Sequence, residues 1–209
     1  MTNWKYNHPL RNGFSWGMAV LLVAGVVFLF LFTKDELFWI LNQQHSYPGD
    51  LFFKYFTHVG DGLTMIIAGL VAIAMGKRKL GVLLILSFLL SGLLAQVVKR
   101  VQPEPRPGKY FAELKQDDRI HKVDGRVLRG NNSFPSGHTT TAFAMFSLLA
   151  FASRNYPVQF LWFLAALIVG YSRIYLGHHF YKDVLTGALL GYASSLFLVW
   201  LLRKKELDQ

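Results

Sequence analysis

The chain has 209 residues, of which 53% are hydrophobic and 16% charged, and a formal net charge of +10. That balance is too apolar for an ordinary soluble domain of this length and points to a single domain, residues 1–209, built for a bilayer. The absence of cysteine excludes disulfides, thiolate metal sites and cysteine nucleophiles.

Charged residues divide the sequence into long uncharged runs. The first, Asn12 to Thr33, has 22 residues and lacks a small-x-small cleavage pattern after it, so it reads as a span and not as a signal peptide. Residues 35–57 follow, with aromatic and aliphatic groups interrupted by Tyr47-Pro48-Gly49-Asp50; this pattern predicts two short interfacial helices around a turn. Gly62 to Gly76 is uncharged for only 15 residues and reaches spanning length if its helix starts near Phe56. Leu80 to Val98 has 19 uncharged residues. The connection 99–134 carries Pro103, Pro105 and Pro107 and then many charges, and reads as a polar cap or loop. Thr139 to Ser153 is again 15 residues, extended if the helix begins at Pro135. Asn155 to Ser172 and Val184 to Leu202 complete the series with 18 and 19.

The expected fold is therefore all-α, a bundle of six transmembrane helices at about 13–33, 58–76, 80–98, 135–153, 156–173 and 183–202. Lys77-Arg78-Lys79 and Arg203-Lys204-Lys205 resemble cytoplasmic stops, although the Lys and Arg count does not by itself decide orientation.

Alternation of helix direction brings three polar clusters to one side. Lys99 and Arg106 follow the third helix, Ser136, Gly137 and His138 open the fourth, and Arg173, His179 and Asp183 lie between the fifth and sixth. Lys99, Arg106 and Arg173 are cations suited to phosphate oxygens. Ser136 and Gly137 sit at a helix start, where free N–H groups and the dipole favour an anion. His179 and Asp183 are four residues apart. On a helix they would share a face, with the carboxylate fixing the imidazole tautomer. His138 supplies a second group able to move protons near neutral pH. Asp61 is expected either to cap the second helix or to bond toward this site. His178 is expected to shape the wall. His8, His45, His58 and His121 read as solvated, and Lys109 to Arg129 as a solvated loop or an attractor of anions.

Lys99-x6-Arg106-Pro107, then Pro135-Ser136-Gly137-His138, then Ser172-Arg173-x5-His179-x3-Asp183, resembles the phosphatidic acid phosphatase type 2 superfamily. The resemblance implies an integral membrane lipid phosphatase. His179 would be the nucleophile forming a phosphohistidine, Asp183 its orienting group and His138 the general acid and base. Lys99, Arg106, Ser136, Gly137 and Arg173 would bind phosphate, with no metal and no cofactor. Undecaprenyl diphosphate, phosphatidylglycerol phosphate and lipid A phosphate are the expected substrates, and the bacterial inner membrane with an outward-facing site the expected location. A lipid-to-lipid phosphotransferase and a non-catalytic membrane protein are the alternatives. No nucleic-acid module is visible, and the oligomeric state is left open.

Overall fold

The computed structural model describes residues 11–123 and 130–207, and among these it is all-helical. The helices are α1 (Gly13–Leu31), α2 (Lys34–Asn42), α3 (Tyr47–Phe56), α4 (Gly62–Ala74), α5 (Arg78–Val101), α6 (Pro107–Glu113), α7 (Gly137–Ala152), α8 (Tyr156–Tyr175) and α9 (Tyr181–Leu207). Short 3-10 turns occupy Thr57–Gly60 and Asp117–Arg119.

Four helices are long and apolar enough to cross a membrane: α1, α5, α8 and α9. A fifth span arises if α3 with its 3-10 turn and α4 count together; they are bent by 59°. The expected second helix at 58–76 is thus shorter. The chain tightens to 3-10 at 57–60, Asp61 is extended, and α4 starts at Gly62. α7 has 16 residues, about 24 Å at 1.5 Å per residue. It is buried on nearly every face, packed by α5, α8 and α9, so neighbouring helices and not lipid surround it. α1 shows the opposite, with Trp16, Val20, Val23 and Phe30 exposed as lipid-facing groups would be.

α9 lies against α7 because its contact face is nearly free of side chain. A Cβ on Gly187 would sit 2.7 Å from the Ser136 carbonyl oxygen, and one on Gly191 would strike the Thr140 carbonyl oxygen. One turn on, Ser195 continues the stripe and donates to the Ala144 carbonyl at 2.9 Å. Such small-residue seams let membrane helices approach backbone to backbone. Phe14 closes the core from α1, its ring edge-on to Phe143 and Phe163 at 6.0 and 5.6 Å.

Residues 32–57 form the two expected short helices, but the turn lies earlier. Tyr47-Pro48-Gly49-Asp50 is the first turn of α3, with Ser46 as N-cap and Pro48 near the helix start, where its missing N–H does no harm. α2 starts with a capping box in which Thr33 and Glu36 satisfy each other's backbone. The long connection is not simply polar. Phe111 of α6 and Ile120 pack with Phe38, Ile174, Phe180 and Val184 into a second apolar cluster, and the Lys34 ammonium lies 3.8 Å from the Phe180 ring centroid.

Candidate active site

α5 ends, α7 begins, and α8 hands over to α9 at the same end of the bundle. Between them lies a groove of about 450 Å³ lined by Lys99, Arg106, Gly137, His138, Arg173 and His179, together with Gln96, Arg100 and Asn132. Seven of the eight residues singled out in the sequence are placed in or directly behind this groove. Ser136 is the exception. It is fully buried, and its hydroxyl oxygen accepts from the Thr139 hydroxyl at 2.8 Å as the N-cap of α7. Its side chain caps the helix start from behind the groove, and the hydroxyl that accepts from Thr139 keeps its own proton to donate. A Cβ on Gly137 would meet only open space, so its backbone can be approached closely by a ligand.

His179 lies before α9, not on it, so its relation to Asp183 differs from two residues sharing a helix face. Asp183 sits in the first turn of α9, where its Oδ2 accepts the Phe180 N–H at 3.0 Å and the Ser133 hydroxyl at 2.5 Å. His179 Nδ1 lies 3.4 Å from that same oxygen and 3.5 Å from Ser133 Oγ. Its Nε2 faces the groove and receives an Arg106 N–H at 3.4 Å. The imidazole is only 2% exposed, and burial together with Arg173, Arg106 and Lys99 pushes its pKa well below the usual value. The ring is thus neutral, with Nε2 carrying a lone pair toward the groove.

The cations are fixed by neighbours. Asn132 is the hub: its carbonyl accepts from Lys99 Nζ at 2.7 Å and its side chain from Arg106 Nε at 2.9 Å. Arg173 donates to Thr57 Oγ1 at 2.5 Å and to His178 Nδ1 at 2.7 Å. His178 is likewise held neutral by burial and by Arg173, and acts as a brace for that guanidinium. The Arg173 Nε is buried and has no hydrogen-bond partner among the described residues.

Asp61 resolves the alternative left open by the sequence. It occupies the N-cap position of α4 but makes no capping bond. Its Oδ1 lies 2.6 Å from His138 Nε2, and its Oδ2 2.8 Å from His58 Nδ1. Gly60 allows this approach, since a Cβ there would lie 2.8 Å from the His138 carbonyl oxygen. Asn132, Ser133, Thr57 and His58 carry no separate sequence signal; only Asn132 and Ser133 could have been suspected, from their nearness to Pro135-Ser136-Gly137-His138.

Of the histidines expected to be solvated, one is largely buried and a second is only partly exposed. The His45 side chain is only 12% exposed and stacks on His121 at 4.0 Å, while His121 Nε2 lies 2.8 Å from Asp50 Oδ2. His8 and the end of the Lys109 to Arg129 stretch lie outside the described residues.

A second groove of about 360 Å³ adjoins the first and shares Gln96, Lys99, Gly137 and His138 with it. It runs between α4, α5 and α7 past Phe88, Leu89, Gly92 and Leu93, and is mostly apolar.

The model of the PAP2 superfamily matches residues 80–207. The chain is 32% identical over 127 residues to the bacitracin transport permease protein BcrC of Bacillus licheniformis, covering 59% of this chain and 56% of that one. It is 26% identical over 195 residues to an undecaprenyl-diphosphatase of Sulfolobus acidocaldarius, covering 87% and 88%. The crystal structure of Aquifex aeolicus LpxE superposes with a TM-score of 0.68 at 29% identity, covering 78% of this chain and 92% of that one. The match thus spans little more than half the length of the first relative and most of the other two.

Proposed function

The chain belongs to the PAP2 superfamily, and we propose that it is a six-span membrane phosphatase that releases phosphate from a lipid phosphate or diphosphate through a phosphohistidine. The observation that carries this reading is the junction of the two grooves: a cationic recess shares its lining with an apolar groove between α4 and α5. The cations of the recess suit a phosphate, and the apolar lining of the neighbouring groove suits the chain attached to it. Burial of that chain contributes about 0.8 kcal/mol per CH₂.

In this mechanism Lys99, Arg106, Arg173 and the Gly137 N–H at the start of α7 bind the phosphate and stabilise the charge that builds on its oxygens. His179 Nε2 attacks phosphorus in line. The bond to the leaving oxygen breaks, and that oxygen takes a proton from His138. Asp183, held by Ser133 and the Phe180 N–H, supports the positive charge that His179 acquires. His138 Nε2 faces Asp61, so Nδ1 is the nitrogen available to the substrate. Water then attacks the phosphohistidine and gives its proton to His138, returning both histidines to their starting states.

No step needs a metal. The phosphate faces cations and N–H groups, and the nearby carboxylates Asp183 and Asp61 are each used on a histidine. Incubation with EDTA is expected to leave phosphate release within about twofold. Undecaprenyl diphosphate, phosphatidylglycerol phosphate and lipid A phosphate are the candidate substrates, at an outward-facing site of a bacterial inner membrane. The test is His179→Ala in purified, folded protein assayed on these three lipids. Loss of at least about a hundredfold in rate is expected; retention of most activity sinks the nucleophile assignment. Phosphate release without any acceptor lipid separates a hydrolase from a phosphotransferase.

A further inference from the structure

Outside the phosphate groove, His45, Asp50 and His121 meet where the α2–α3 turn touches the long connection. One ligand atom from each lies within 4.8 Å of the others. None of the three lines the groove. We propose that they form a binding site for a divalent transition-metal ion of the zinc type, a clip that fastens the interfacial hairpin to the connection.

The argument starts at His45. Its Nε2 lies 2.6 Å from the Asn42 carbonyl oxygen. A carbonyl only accepts, so Nε2 carries the hydrogen, and the neutral ring keeps its lone pair on Nδ1. That Nδ1 is buried and has no hydrogen-bond partner among the described residues. Its polar neighbour is Asp50 Oδ1 at 3.8 Å. A lone pair facing a carboxylate is unfavourable unless a cation lies between them. The ring is also stacked on the His121 imidazole at 4.0 Å, which brings the second imidazole to the same point.

The separations suit a metal. Tetrahedral zinc with bonds of 2.0–2.1 Å places its ligand atoms about 3.3 Å apart. The 3.8 Å from His45 Nδ1 to Asp50 Oδ1 and the 2.8 Å from His121 Nε2 to Asp50 Oδ2 bracket that value. In the metal-free arrangement the His121 Nε2 hydrogen points at Oδ2; binding would move this hydrogen to Nδ1 and put the ion in its place. The supporting bonds are those a metal site uses. The Asn42 carbonyl fixes the His45 tautomer, Asn42 is itself anchored to the Ile174 and Tyr175 carbonyls at 2.7 and 2.9 Å, and the Tyr175 hydroxyl donates to Asp50 Oδ1 at 2.7 Å. Two imidazoles and one carboxylate favour zinc-like ions over calcium or magnesium, which prefer oxygen ligands.

The test uses the full chain without a histidine tag, purified in detergent and titrated with Co²⁺ and Zn²⁺. The wild type is expected to develop a visible Co²⁺ absorption saturating at one equivalent, which Zn²⁺ then displaces. It should retain about one Zn²⁺ per chain after desalting, and the His45→Asn/His121→Asn double variant less than about a fifth of that. Asp50→Asn keeps a partner for the Tyr175 hydroxyl and is expected to weaken binding at least tenfold. His179→Ala should leave the stoichiometry at one. A wild type with no saturating absorption overturns the proposal whatever the variants do. So does zinc that survives the double variant or disappears with His179→Ala.

Discussion

His138 and Asp61 face each other at 2.6 Å, Nε2 to Oδ1, although 77 positions of sequence separate them. In the proposed mechanism the pair repeats on the general acid what Asp183 provides for the nucleophile: a carboxylate that selects the tautomer and stabilises the protonated ring. In that mechanism Asp61 acts through His138 and is a positioning residue. Asp61→Asn is expected to lower kcat by about tenfold, less than the 10²–10⁴ that general acid–base groups contribute. A poor alkoxide leaving group should lose more rate than p-nitrophenolate, which needs little protonation. Equal losses on both esters would assign Asp61 a merely structural role.

The apolar groove predicts a chain-length effect. A Cβ on Gly92 meets nothing within 4 Å, so a larger side chain there projects into the channel without disturbing the helices. Gly92→Leu should raise KM for a long-chain lipid phosphate at least about fivefold and leave a water-soluble phosphate ester unchanged, because only the former fills the channel. The measurement is KM on both substrates in one detergent. An unchanged lipid KM removes the channel from the substrate path.

The same helix property has opposite outcomes at two glycines. Replacing glycine by alanine inside a helix ordinarily stabilises by about 0.8–1.0 kcal/mol. Gly92→Ala should therefore be neutral or stabilising. At Gly191 the new Cβ meets the Thr140 carbonyl and, at 2.9 Å, the Ala144 nitrogen, backbone atoms that cannot rotate away. Overpacking of this sort costs about 1–3 kcal/mol, so Gly191→Ala should lower the thermal midpoint despite its better helix propensity. Thermal unfolding of the two variants in one detergent provides the comparison.

Acid should destabilise the free protein partly through His179. Burial and three cations hold its folded-state pKa well below 6.5. The unfolded chain therefore binds the extra proton first, and stability falls as pH drops below about 6.5. Between pH 7.5 and 5.5 this amounts to about 1.4 kcal/mol for one such histidine. His178, also held neutral, adds in the same direction. His179→Gln should lose less thermal stability over that interval than the wild type. An identical pH slope in both proteins would show that His179 is not buried in its neutral form.

Patterns repeated along the chain were legible in the sequence. Uncharged runs of 18–22 residues located α1, α5, α8 and α9, because lipid requires such runs whatever the packing. The motif residues converged because helix direction alternates. Features set by tertiary packing were not legible. α4 begins only after the extended Asp61, whose partner His138 lies far away in sequence. That Ser136 caps α7 and is bonded by its neighbour Thr139 follows from side-chain geometry that a helix N-terminus in sequence does not specify. His45 looked fully solvated because its neighbour Asp50 belongs to a helix whose first turn imitates a loop.

All eight candidate site residues fall within 80–207, whereas Thr57, His58 and Asp61 precede that stretch. The two-part origin of the site makes the early segment exchangeable. A graft that replaces residues up to the end of α4 would alter no motif residue, yet it would change what steadies Arg173 and what faces His138. If the proposed mechanism holds, protein engineers seeking a different proton-transfer rate or pH range should recombine this part of the chain and leave 80–207 as it is.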